Sequence, residues 1–245
     1  MDKTNLPMQT PNHSTSRVVA DRSPHSRRNF LRKSGLGIAA ASLFLAGCDD
    51  DDDPIMVDNR VNLGSGDVGV LNYAFALEQL EAAFYATVLQ GGYFSSANAD
   101  EQQVMRDLEA HERAHVEFLN TAISSVGTAI PALQVDFSSI DFDSRDSVLA
   151  TAQAFEDLGV SAYNGAGRLL SDANYLLAAG KIVSVEARHA AAIRTLRSNG
   201  SPTAFANSEV VDSNGLDVVR TPSEVLAIAG TYVVTEIDAS GLPNQ

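Results

Sequence analysis

The stretch DLEAHERAHVEFL, residues 107–119, decides how the rest of the chain is read. Two metal-ligand patterns overlap in it. His111, Glu112 and His115 form H-E-x-x-H, in which two imidazoles one helical turn apart share a zinc ion and the carboxylate serves as base. Glu112 and His115 alone form E-x-x-H, with both side chains on one helix face, about 60° apart at 100° per residue. The first pattern needs a third ligand. The second is half of a site and needs its counterpart.

That counterpart is present. VEARHAAAI, residues 185–193, carries Glu186 and His189 at the same spacing. Upstream of each pair, a Glu is followed seven residues later by a Tyr: Glu78 and Tyr85, then Glu156 and Tyr163. A seven-residue step returns to nearly the same face two turns on. The zinc continuation H-x-x-G-x-x-H would place Gly at 118 and His at 121, where the sequence has Phe118 and Thr121. A zinc metalloprotease reading also leaves Glu186 and His189 unexplained. His111 then stays at the surface or behind a ligand.

Apolar periodicity makes the folded part all-α. A first helix is predicted over 67–90, ended by Gly91 and Gly92, and a second over 99–126, ended by Gly127. A third covers 144–170. The turn at LSD, 170–172, leads to a fourth over 173–197. A short fifth helix begins near TPSEVLAIAG, with Ser223 as its candidate N-cap. Residues 198–220 read as irregular, and so does 127–143, which contains Pro131. Glu78, Glu156, Glu186 and His189 interrupt apolar faces, where an unpaired carboxylate costs several kcal/mol, roughly, to bury.

The heights agree. Glu156 lies 15 residues before Ser171 and Glu186 lies 15 after it, so an antiparallel hairpin brings them level. Glu78 lies 13 residues before Gly91, and Glu112 lies 13 after residue 99. The 17-residue linker 127–143 spans roughly 55 Å when extended, more than the length of either helix it joins. It can run end to end as a crossover and bring six ligands into one layer.

With these residues in hand, the chain resembles the ferritin-like superfamily. That site takes one Glu from each of two helices and Glu-x-x-His from the other two. The matching positions here are Glu78, Glu112, His115, Glu156, Glu186 and His189. The wording LNYAFALEQLEAAFY, HERAHVEFL and TPSEVLAIAG is similar to the branch of ferritin-like domain proteins related to desiccation-related proteins. The resemblance implies a ferritin-like four-helix bundle over 67–197, with a long crossover between helices 2 and 3. It also implies a centre of two Fe or Mn ions. Four carboxylates offset the charge of two divalent cations, and an N/O donor set suits these metals. Oxidant chemistry with O2 or H2O2, as a ferroxidase, peroxidase or catalase, is the enzymatic expectation. A non-catalytic structural or stress-protective role is the alternative. Glu81 is the rival ligand on the first helix, one turn from Glu78. Tyr85 and Tyr163 are candidate partners of the ligands, although packing is the more ordinary use of a core tyrosine.

The N-terminus points to the cell envelope. SRRNFLRK, residues 26–33, holds the twin arginines Arg27 and Arg28. An apolar run too short to span a bilayer follows, ending in LAGC at Cys48. This resembles a twin-arginine lipoprotein signal over residues 1–47, with Cys48 acylated and the protein anchored on the periplasm-facing side of a bacterial membrane. Cys48 is the only cysteine, so an intramolecular disulfide is excluded. Seven of the 17 Lys+Arg and two of the 31 Asp+Glu precede Cys48, leaving 10 against 29 and a net charge of −19 beyond it. Such acidity argues against nucleic acid or anionic lipid as a partner, because phosphates would be repelled. DDDDD at 49–53 opens an expected acidic tether over 48–66, and residues 198–245 form a C-terminal extension. A second apolar stripe on the first helix, Tyr73, Leu77, Leu80, Phe84 and Val88, needs a cover from 198–235 or from the partner in a homodimer.

Overall fold

A computed structural model describes residues 59–243. The twin arginines, Cys48 and the acidic run at 49–53 lie outside the described residues. Four long helices form the frame: α1 (Gly66–Val88), α3 (Ala99–Ser124), α4 (Arg145–Ala166) and α5 (Ala173–Arg197). The short helix α2 (Gly92–Ser96) stands between α1 and α3, and α6 (Pro222–Ala229) follows the bundle. Strands β1 (Val61–Asn62) and β2 (Ile237–Asp238) pair in parallel. The all-α expectation holds. Among the described residues no helix is long and apolar enough to cross a membrane.

Helices α3, α4 and α5 start where short polar side chains satisfy their free N–H groups. Asn98 accepts from the N–H groups of Asp100 and Glu101, Ser144 from Ser147, and Asp172 from Asn174. At α6 the expected cap moves by two residues. Thr221, not Ser223, is the N-cap, in a capping box with Glu224 and with Pro222 opening the helix.

α1 packs mainly on α3, and α4 on α5, giving two antiparallel hairpins. The crossover lies along α1 and is stapled to it by two polar side chains. Buried Asn72 accepts from Ile130 N–H at 3.0 Å and donates to the Thr128 carbonyl. Gln79 accepts from Leu133 N–H at 2.9 Å. The second stripe of α1 is buried throughout. Its cover differs in part from the expectation, because the crossover contributes as well as the C-terminal region. Phe137 and Phe142 of the crossover meet the Phe84 ring, and Tyr232 meets Phe137 and Phe155.

The tether expected over 48–66 is overturned for its last residues. Val61 and Asn62 pair with β2, and Leu63 is fully buried. The C-terminal region also belongs to the same core, through buried Val225, Ala229 and Leu242. Gly165 permits one such contact, since a Cβ there would collide with the Arg220 carbonyl. Arg220 N–H bonds the Ser161 carbonyl at 3.1 Å across that gap.

Candidate metal centre

At mid-height the four long helices turn seven ionisable side chains toward one another. Glu78 and Glu81 come from α1, Glu112 and His115 from α3, Glu156 from α4, and Glu186 and His189 from α5. Glu78, Glu112, Glu156 and Glu186 have no solvent exposure, and Glu81 and His189 have 4% each. Ligand atoms of Glu78, Glu112, His115 and Glu186 lie within 4.8 Å of one another. Those of Glu112, Glu156, Glu186 and His189 do the same, so the two groups share Glu112 and Glu186. All six residues predicted from spacing are brought together, each in at least one group.

His115 Nδ1 lies 3.1 Å from Glu78, 3.2 Å from Glu112 and 3.2 Å from Glu186. His189 Nδ1 lies 2.8 Å from Glu112 Oε1 and 3.4 Å from Glu156 Oε2, off the line of a ring N–H bond. The tyrosines do more than pack, which corrects the reading favoured by the sequence. Tyr85 donates to Glu156 Oε1 at 2.5 Å, and Tyr163 donates to Glu78 Oε1 at 2.5 Å. Each hydroxyl holds the carboxylate of the opposite helix, which sequence spacing along one helix does not reveal.

Burial and mutual repulsion set the charges. Burial drives Glu78 up to about 7, against the bond to His115 and aided by the charge of Glu112. Glu186 and Glu81 are pushed well above the carboxylate range by burial and then by neighbouring carboxylates. Glu156 rises by burial, against His189. Burial also acts upward on Glu112, but the two histidines outweigh it and hold this carboxyl down at about 2. Burial disfavours charge on both imidazoles, yet the carboxylates win, taking His115 to about 12 and His189 to about 11.

The residues fit a cation. Glu112 Oε1, Glu156 Oε2, both oxygens of Glu186 and His189 Nδ1 are buried without a hydrogen-bond partner. Buried polar atoms are normally satisfied, so such a convergent set points to a ligand. Burial and mutual repulsion favour the protonated form of several of these groups, and a cation could take the place of those protons. A gap at Gly159 completes the cradle, since a Cβ there would lie 3.0 Å from Glu81 Oε1 and 3.1 Å from Glu186 Oε2. Gly159 escaped the reading of the sequence; its only signal is an isolated glycine inside a helical pattern, one turn after Glu156. Glu81 is buried at this edge but stands outside both four-residue groups. His111 also stands outside them, so among the described residues the two histidines of H-E-x-x-H share no ligand group. Its Nδ1 meets His189 Nε2 instead, at 2.9 Å.

A family model described as the ferritin-like domain matches residues 66–199, more than half of the chain. The chain therefore belongs to the ferritin-like domain family, and its buried carboxylate–histidine cluster is compatible with the metal binding of that fold. No curated protein matches the chain significantly.

Proposed function

We propose that this chain is an envelope-anchored ferritin-like protein whose cluster binds two Fe or Mn ions and acts on O2 or H2O2 in oxidative or desiccation stress. The observation that carries the dinuclear reading is the sharing of Glu112 and Glu186 between two four-ligand groups. Glu78 with His115 would complete one position, and Glu156 with His189 the other. Bound Fe or Mn would supply the change of oxidation state that these side chains lack. The chain's own part is to hold the donors in place through Tyr85 and Tyr163 and to keep the carboxylates away from bulk water. Disproportionation of H2O2, in which one molecule is oxidised to O2 and another reduced to water, needs no outside donor.

The anchoring part of the proposal rests on the sequence around Arg27, Arg28 and Cys48, with the lipid bilayer as partner. The test is metal analysis of protein purified from an export-competent host, followed by H2O2 consumption with O2 evolution recorded. Two ions per chain and peroxide turnover are expected. Glu112→Ala and Glu186→Ala should each lose both ions, because each removes a shared ligand. Two bound ions without any consumption of oxidant would leave a metal-binding protein and end the enzymatic reading.

A further inference from the structure

The two imidazoles of the cluster are held differently. His189 presents Nδ1 to Glu112 and Glu156 and meets His111 Nδ1 through Nε2 at 2.9 Å. The planes of these two rings differ by 6°, with centroids 5.1 Å apart. So short a nitrogen contact at that centroid separation sets the rings edge to edge in one plane, as an in-line N–H···N bond requires. His115 also presents Nδ1 to the carboxylates, but its side chain is 12% exposed and its Nε2 has no hydrogen bond among the described residues. The sequence gives the reason. The residue before Glu112 is His111, whereas the residue before Glu186 is Val185, whose side chain cannot hydrogen-bond.

We infer that His111 is a positioning residue that makes the two metal positions unequal. By accepting from the Nε2–H of His189 it fixes the ring and leaves Nδ1 as the ligating atom. The group of Glu112, Glu156, Glu186 and His189 then takes up its ion first. The group containing Glu78 and His115, whose imidazole lacks such a partner, fills second. The inference rests on the two-ion reading above and adds an order of filling to it.

The test is a calorimetric titration of Co2+ into the full chain stripped of metal, with the cobalt absorption spectrum recorded at each step. The wild-type chain should bind two ions in two resolved steps. His111→Ala should weaken the tighter step by about 10–100-fold, change its cobalt spectrum and leave the weaker step in place. His111→Gln, whose side-chain oxygen can accept the same bond, should restore it. His111 is solvent-exposed, so an unchanged melting curve should accompany both variants. Two equal steps in the wild type, equal weakening of both steps, or an unaltered titration in His111→Ala would each overturn the inference while leaving the two-ion reading intact. A wild-type chain that takes up no ion would remove that reading and the order of filling together.

Discussion

Arg145, the first residue of α4, grips Glu101 in the first turn of α3, with Nη2 2.8 Å from Oε1 and Nε 3.1 Å from both carboxylate oxygens. The same Nη2 donates to the Leu196 carbonyl at the end of α5, and Tyr93 of α2 donates to Glu101. One guanidinium thus ties α3, α4 and α5 at one end of the bundle.

The Arg145 bonds hold Glu101 below its ordinary value of 4.5, against a smaller upward push from burial. A depressed folded-state value adds stability above the unfolded pKa and loses it as pH falls through the folded one. Glu101→Gln should therefore cost about 1–2 kcal/mol at neutral pH, a figure kept small because water reaches Arg145. Melting temperatures of wild type and variant should converge as pH drops below 4.5, the separation at neutral pH being the reference.

Tyr85→Phe and Tyr163→Phe each leave a buried carboxylate oxygen without its donor. Each should lower metal affinity by about tenfold, in line with the loss of other groups that orient ligands. The affected position should differ, that of Glu156 for Tyr85 and that of Glu78 for Tyr163. Equilibrium dialysis with metal analysis checks both.

Gly159→Ala sets helix propensity against space. The alanine gains about 0.5–1 kcal/mol in a helix interior, but its Cβ crowds Glu81 and Glu186. The metal-free protein should melt within a few degrees of wild type, while its metal affinity falls by about tenfold. Unaltered affinity would mean that both carboxylates can move aside.

Metal binding should release protons. With His115 raised to about 12 and His189 to about 11, both imidazoles carry a proton at neutral pH in the metal-free chain. A cation at Nδ1 must displace that proton, so apparent affinity should rise with pH and fall in acid. Titration in two buffers of different ionisation enthalpy measures the release. A heat signal independent of buffer would contradict it.

Much of the centre was legible because helical spacing is local information. Glu112 and His115, or Glu186 and His189, share a face wherever their helix forms, and matching distances to the turns put the faces level. What escaped depended on non-local placement or on very short elements. α2 has five residues, too few to show a period, and β1 pairs two residues with a segment far along the chain. The tyrosines were visible as positions, but their choice of the opposite helix emerges only when α1 and α4 pack. The α6 start differs from the expected one although its signal lies in the sequence, in the Thr221-x-x-Glu224 capping box.

The crossed tyrosine bonds also carry a rule of assembly. α1 supplies Glu78 and the hydroxyl that secures Glu156, while α4 supplies Glu156 and the hydroxyl that secures Glu78. Neither of these two tyrosines secures the carboxylate of its own helix, and α1 and α4 belong to different hairpins. A hairpin folded alone would therefore present one carboxylate without its clamp and one clamp without its carboxylate. Tight occupancy of the centre becomes a proofreading signal, given only by a chain whose two halves have already found each other.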